Sequence, residues 1–411
     1  MRRLIFIAAT LALFFALTVS ARAQKLYEEL VRSEMTRCPE ASYLDGRQGT
    51  LKWDYTTGLE LKAFLDVYEM AGQAGHDGKN GGHDSRHPRL DRGSILNYVD
   101  AWYDQMIDSN GNIYKYKVSN YSTDHICPGR TLFQLYDLTD KEKYRMAMDT
   151  LYTQIKGMPR TPEGGFWHKK VYPNQMWLDG LYMAQPFYAE YTSRYVPENE
   201  RLANYVDITR NFLIVAGHTF DPETGLFRHA WDSSKEMFWA DKVTGQSDHA
   251  WGRALGWYCM ALVETLPLLP DGTPGKKEMI DVLKGIFNVL PFYADPKTKM
   301  WYQVLDRPGA EGNYVEATCS AMFTYAMLKG RRLGYLDVTE RTCRKTFKAF
   351  VKTFISREDG LVNLNRCCEV AGLGSKDNRR GDYQYYINER IRSNDPKGIG
   401  PAIWAALEID K

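Results

Sequence analysis

Apolar positions along the 411-residue chain fall into two alternating kinds of helical segment. One kind is apolar on most sides and opens on small residues and aromatics. Six such segments begin near Trp53, Thr123, Trp177, His249, Val315 and Gly400, at spacings of 70, 54, 72, 66 and 85 residues. The other kind is amphipathic. Residues 143–156, 198–215, 276–290 and 340–354 carry apolar side chains at helical spacing and charges on the opposite face. Thr139-Asp-Lys-Glu142 reads as a capping box opening the first of these, with the hydroxyl and the carboxylate each satisfying a free backbone N–H. Before most apolar helices comes a turn followed by alternating apolar residues, as in Asp221-Pro-Glu-Thr-Gly-Leu-Phe227 and Asp295-Pro-Lys-Thr-Lys-Met-Trp301. That pattern predicts short hairpins or extended loops.

A lone pair of such helices cannot bury the apolar member. Six pairs closed into two concentric rings can, so the pattern predicts an all-α protein, an (α/α)6 barrel with residues 24–411 as one domain. An open helical solenoid is the alternative. Closure would gather the loops that precede the inner helices around one mouth, the natural concave site. Residues 75–88 stand outside the repeat: they are polar and Gly-rich and hold His76, His83 and His87. Their irregular spacing makes a metal site there the weaker reading.

Composition agrees with a large core, at 44% hydrophobic and 13% aromatic residues. The first 23 residues carry Arg2-Arg3, an apolar run from Leu4 to Val19, and Ala21-Arg22-Ala23 before Gln24. This is the layout of a secretory signal peptide, so the mature chain is expected to start at Gln24 and to be exported to the periplasm or the medium. An uncleaved anchor is disfavoured because the run falls short of the ~20 residues that span a bilayer. No stable membrane association is expected after cleavage. Loss of Arg2, Arg3 and Arg22 takes Lys+Arg from 53 to 50 against 51 Asp+Glu, a net charge of about −1. That balance argues against nucleic acid as a partner. Seven cysteines without a C-x-x-C spacing read as buried free thiols, neither a disulfide framework nor a zinc site. Nothing in the pattern requires more than a monomer or weak dimer.

Chemistry-bearing residues collect where loops enter the inner helices. Asp179 sits among Trp177, Leu178, Leu181 and Tyr182. Desolvation there is expected to raise its pKa, as a proton donor near neutrality requires, and an ionised Asp124 nearby would raise it further. The other polar residues at these junctions are His125, His168, His229, Trp231, His249, Trp251, Arg253 and Trp257. Each has a structural explanation by itself. Gathered at one rim, an acid, a fixed cation, imidazoles and aromatic rings would hold a carboxylated sugar.

The combination of Met176-Trp-Leu-Asp-Gly-Leu-Tyr-Met183, Trp167-His168, Asp124-His-Ile-Cys-Pro-Gly-Arg130, Gly225-Leu-Phe-Arg-His-Ala-Trp231, Ala250-Trp-Gly-Arg-Ala-Leu-Gly-Trp-Tyr258 and Asn394-Asp-Pro-Lys-Gly-Ile-Gly-Pro401 resembles glycoside hydrolase family 105. These are the unsaturated rhamnogalacturonyl hydrolases, related to the family 88 unsaturated glucuronyl hydrolases. The resemblance runs from about Trp53 to the C-terminus. It implies an (α/α)6 barrel that removes a 4,5-unsaturated galacturonyl residue from the non-reducing end of pectin oligosaccharides, with no cofactor and no metal. It further implies Asp179 as general acid/base and Asp124 as a second acid near the ring. His168, His229, Arg253 and Trp257 would bind or orient the sugar, and Trp251 and Tyr55 would form pocket wall. A conventional two-carboxylate glycosidase or a polysaccharide lyase on the same barrel is the alternative.

Overall fold

The computed structural model describes residues 26–46, 51–76, 91–374 and 379–411. Thirteen α-helices lie within these residues. They are α1 (residues 26–37), α2 (Tyr55–His76), α3 (Arg92–Met106), α4 (Gly129–Thr139), α5 (Glu142–Lys156), α6 (Leu178–Tyr195), α7 (Glu198–Thr219), α8 (Gly252–Thr265), α9 (Lys276–Val289), α10 (Ala317–Arg332), α11 (Glu340–Phe354), α12 (Tyr383–Asn388) and α13 (Pro396–Glu408).

Helices α2, α4, α6, α8, α10 and α13 touch in ring order, and the ring closes because α13 packs on α2. An open solenoid would leave those two ends apart, so the molecule is the (α/α) barrel that the pattern predicts. Sequence explains which helices go inside. From Ala317 to Leu328 every residue of α10 is buried, whereas α11 buries only Cys343, Phe347, Phe350 and Phe354, one stripe at helical spacing. Inner helices pack closely because their first turns are small: a Cβ on Gly252 would lie 2.7 Å from the Tyr302 carbonyl oxygen and 3.0 Å from Cys319 Sγ.

Two carboxylates clamp the ring at the end where the inner helices finish. Asp66 of α2 accepts from Trp404 Nε1 of α13 at 2.7 Å and from Gln134 Nε2 of α4 at 2.9 Å. Glu264 of α8 meets Arg130 Nη2 of α4 at 2.8 Å and Lys329 Nζ of α10 at 2.9 Å, and accepts from the Tyr325 hydroxyl.

At the opposite end, extended pairings shape the mouth. The short strands β1 (Gln175–Trp177) and β2 (Ala230–Asp232) pair antiparallel, with Trp177 opposite Ala230. Strands β3 (Ile355–Glu358) and β4 (Leu361–Leu364) form a hairpin, and β5 (Cys367–Cys368) pairs with β6 (Ile391–Arg392). The turn-plus-aromatic segments close as single bridges, such as Phe220 with Phe227 and Ala294 with Trp301. Carboxylates hold these turns: Asp295 Oδ2 accepts from Thr298 N at 2.6 Å.

Three expectations need correction. There is no capping box at Thr139, because α4 runs through that residue and the Thr139 hydroxyl donates back to Leu135 O at 2.6 Å. Asp140 then turns the chain in the left-handed region, and Lys141 precedes α5 without a side-chain cap. The inner helix placed at Gly400 starts at Pro396, capped by Asp395. The segment near Thr123 is a separate short 3-10 turn, and the helix proper begins at Gly129, after Pro128. The Gly/His-rich stretch lies almost wholly outside the described residues. All seven cysteines are free thiols. Among the described residues no helix is long and apolar enough to cross a membrane.

Burial pushes the Glu264 carboxyl up, but Lys329 and Arg130 outweigh it and hold the group well below the ordinary range. A depressed carboxyl adds stability above its unfolded pKa and loses it as pH falls through the folded value. Glu264→Gln is therefore expected to lower the unfolding free energy by ~3 kcal/mol at neutral pH in urea titrations, with the deficit shrinking as the buffer is made acid.

Candidate active site

Asp179 stands in the first turn of α6, directly after β1, and His229 directly precedes β2. Antiparallel pairing therefore brings together two residues fifty positions apart, and Leu178 N donates to His229 O at 3.1 Å. The side chains follow, with His229 Nε2 3.2 Å from Asp179 Oδ2. Both atoms are buried, and neither has a partner other than this contact. The imidazole is wholly buried between Trp251 (4.8 Å between ring centres) and Trp177 (5.3 Å), and its Nδ1 meets the Tyr386 hydroxyl at 2.8 Å.

A second tie brings in Asp124 and His168. Thr123 N donates to His168 O at 3.1 Å, and His168 N donates to Gln175 O at 2.7 Å, so the 3-10 turn, this loop and β1 are strung together. Asp124 Oδ1 lies 3.8 Å from His168 Nε2, and its Oδ2 forms an ion pair with Lys169. The Thr123 hydroxyl donates to His168 O at 2.8 Å and so spends its one hydrogen. His168 Nδ1, 3.2 Å from the same oxygen, then carries the ring proton, and Nε2 is left as an acceptor. Burial, with Lys169 next, pushes the His168 pKa well below its ordinary value. It lies flat against Trp177 at 4.4 Å.

Arg253 and Trp257 come from the first two turns of α8, both almost fully buried. The guanidinium lies 4.7 Å over the Trp251 ring, donates through Nη1 to Cys368 O, and leaves Nε unpaired. Trp257 packs against Tyr182 at 4.8 Å and edge-on against Tyr55 at 6.1 Å. Tyr55 links the halves. Burial raises its hydroxyl pKa most, the charges of Asp124, Asp54 and Asp179 add to the rise and Arg253 opposes it, so the phenol feels both acids and the cation.

The structure thus brings together Asp179, His229, His168, Asp124, Arg253, Trp257 and Tyr55, with Trp251 behind His229 and Arg253. Other rim residues are engaged elsewhere: Trp231 stacks on His218 at 3.7 Å, His249 Nδ1 bonds Asp306 at 2.7 Å, and the His125 ring packs on Tyr116 at 5.9 Å. Surface cavities of about 470, 310 and 210 Å³ are lined by other residues, on outer helices or at the far end of the barrel. The residues at the mouth are instead enclosed by aromatic rings. Among the described residues no three His, Cys, Asp or Glu side chains converge as a metal site does.

One expectation is reversed. Burial does push the Asp179 carboxyl up, but His229, by charge and contact, and then His168 outweigh it and hold the pKa below the ordinary value. The expected push from Asp124 is not among the leading influences, and that carboxylate is occupied by Lys169. Two neighbours were missed in the sequence. Lys169 had a readable signal, being next to His168. Tyr386, 157 residues from its partner, had none.

The sequence profile of Glycosyl Hydrolase Family 88 matches residues 26–411. A family 105 glycoside hydrolase of C. acetobutylicum ATCC 824 is 40% identical, over 94% of this chain and 99% of that one, with a TM-score of 0.83. This chain belongs to the glycoside hydrolase 88/105 family. The unsaturated rhamnogalacturonyl hydrolase YesR of Bacillus subtilis is 24% identical over 74% of this chain and 78% of its own. An unsaturated glucuronyl hydrolase from Streptococcus agalactiae, 11% identical with a TM-score of 0.63 over 96% of this chain and 92% of that one, shares the fold. As a member of this unsaturated uronyl hydrolase family, the protein is a glycosidase with an oligosaccharide substrate.

Gly180 shows how tightly this 88/105-family pocket is drawn. A Cβ there would lie 2.9 Å from His168 Nδ1. Gly180→Ala is expected to displace the imidazole from Thr123 and cut glycosidase activity on the order of tenfold or more, while thermal unfolding stays cooperative. Unchanged kinetics would show that His168 can move freely.

Proposed function

We propose that this glycosidase removes a 4,5-unsaturated galacturonyl residue from the non-reducing end of pectin oligosaccharides of the rhamnogalacturonan type, with Asp179 as the acid and base. The observation that carries the reading is the enclosed Asp179–His229 contact, beside an Asp124 that is already neutralised by Lys169. An ordinary glycosidase needs two working carboxylates. An unsaturated uronide needs one. Its C4=C5 bond is an enol ether, so a proton from Asp179 to C4 leaves a cation at C5 stabilised by the ring oxygen. Water adds at C5 and returns a proton to Asp179. The hemiketal opens to a ketone, C1 becomes a hemiacetal, and the aglycone leaves as the alcohol, with one water consumed.

A ligand-free Asp179 held ionised is compatible with this chemistry. The substrate's carboxylate and its exclusion of water both favour the protonated form once the sugar is bound. Arg253, with a buried unpaired N–H, suits the uronate carboxylate. His168 Nε2 suits a sugar hydroxyl as donor, and Trp257 and Tyr55 suit the ring's apolar face. The likeness to YesR favours a rhamnose-linked aglycone over a glycosaminoglycan unit. The N-terminal layout supports export, with the mature chain from Gln24 working as a monomer or weak dimer in the periplasm or medium, free of membrane and nucleic acid.

Asp179→Asn is expected to reduce the loss of ultraviolet absorbance of an unsaturated galacturonyl–rhamnose disaccharide by ~10²- to 10⁴-fold, with the folded structure retained. Undiminished turnover by this variant, or faster turnover of unsaturated glycosaminoglycan disaccharides by the native enzyme, would contradict the proposal.

A further inference from the structure

We propose that the Tyr386 hydroxyl positions the proton of the His229–Asp179 pair, donating to His229 Nδ1 when the pair is unloaded and accepting from it when the pair carries the extra proton. This inference rests on the proposed role of Asp179 and adds a residue to it. The geometry is a line of three groups: Tyr386 Oη, 2.8 Å from Nδ1, the imidazole, and Nε2, 3.2 Å from Asp179 Oδ2. Both rings are fully buried, so no bulk water can take the place of either partner.

Donor and acceptor counting leaves few choices. An ionised Asp179 only accepts, so Nε2 must carry the hydrogen, and a neutral imidazole then presents a lone pair at Nδ1 that needs a donor. With one more proton in the pair, Nδ1 carries a hydrogen and needs an acceptor. A phenol that rotates about its C–O bond serves both states, and a side chain that only donates or only accepts would orphan Nδ1 in one of them. Burial keeps this phenol protonated, which preserves both capacities. The ring is firmly placed, stacked on Trp251 at 5.8 Å, with its backbone carbonyl held by Gln303 Nε2 at 3.2 Å. The helix that carries it is capped by Asp382, which accepts from Tyr385 N at 2.8 Å.

The titratable and charged groups facing this line come from every side. His168 and Lys169 lie on the loop before β1. Tyr55 opens α2, and the charges of Asp124 in the 3-10 turn, Arg253 of α8 and Asp54 act on its phenol. Asp306, Asp248 and Tyr385 lie around the phenol. None of these is hydrogen-bonded to His229 Nδ1 in the structure, whose partner there is Tyr386.

Tyr386→Phe keeps the ring and removes only the hydroxyl. The loaded pair loses the acceptor of a charged or strongly polarised N–H, a larger loss than an unmet lone pair, so proton binding by the pair weakens. The alkaline limb of the kcat–pH profile is expected to move to lower pH. At neutral pH kcat should fall on the order of tenfold, with KM within about twofold. Tyr385→Phe, which breaks the bond from Gly372 N (3.0 Å) within the same segment, is expected to leave that limb in place. An unmoved limb in Tyr386→Phe, a change in KM alone, or an equal shift in Tyr385→Phe would overturn the proposal. A second measurement needs no substrate and so fails separately from the assigned reaction. Long-range ¹H–¹⁵N spectra of histidine-labelled native protein, with the His229 signals identified by their loss in His229→Gln, should show protonated Nε2 and bare Nδ1 above the pair's titration. Protonated Nδ1 under those conditions would overturn it.

Discussion

The antiparallel pairing of Gln175–Trp177 with Ala230–Asp232 is the constraint on which the site depends. Only three residue pairs long, it puts the residue before one strand beside the second residue after the other. That juxtaposition gives Asp179 an imidazole to face inside a ring of aromatic side chains. The closed helical ring supplies the rigidity such a short pairing lacks: α6 and α8 pack directly, so the elements bearing Asp179 and Arg253 cannot drift apart without opening the barrel.

Strain against the usual rules of burial collects at the same place. Asp179 Oδ2 and His229 Nε2 are buried with no partner but each other, and Arg253 Nε is buried with none, a costly state for polar atoms. The far end of the barrel behaves differently: Asp66 and Glu264 each collect several donors and tie inner helices together. One end of the ring is built for stability, and the other keeps donors and acceptors in reserve. In the proposed reaction those reserved groups meet the sugar's carboxylate and the transferred proton.

Much of the fold was legible because burial on all sides and burial on one stripe leave different sequence patterns, and the two alternate six times. The start of α13 lies four residues before Gly400, at Asp395-Pro396, a readable cap and first-turn pair that the longer apolar run after it obscures. The residues of the site were legible as types at loop-to-helix junctions, but their pairings were not. Trp177 and Leu181 announce desolvation of Asp179 from next door, whereas the imidazole that reverses its pKa arrives through a strand pairing fifty residues away. Lys169 on Asp124 and Tyr386 on His229 are likewise tertiary facts.

The central claim is that one acid attacks a carbon–carbon double bond and not an acetal. The most direct test is to offer the purified enzyme two galacturonyl–rhamnose disaccharides that differ only in the C4=C5 bond and to follow rhamnose release from each. The account predicts release from the unsaturated sugar and none above background from the saturated one. Comparable release from both would contradict it.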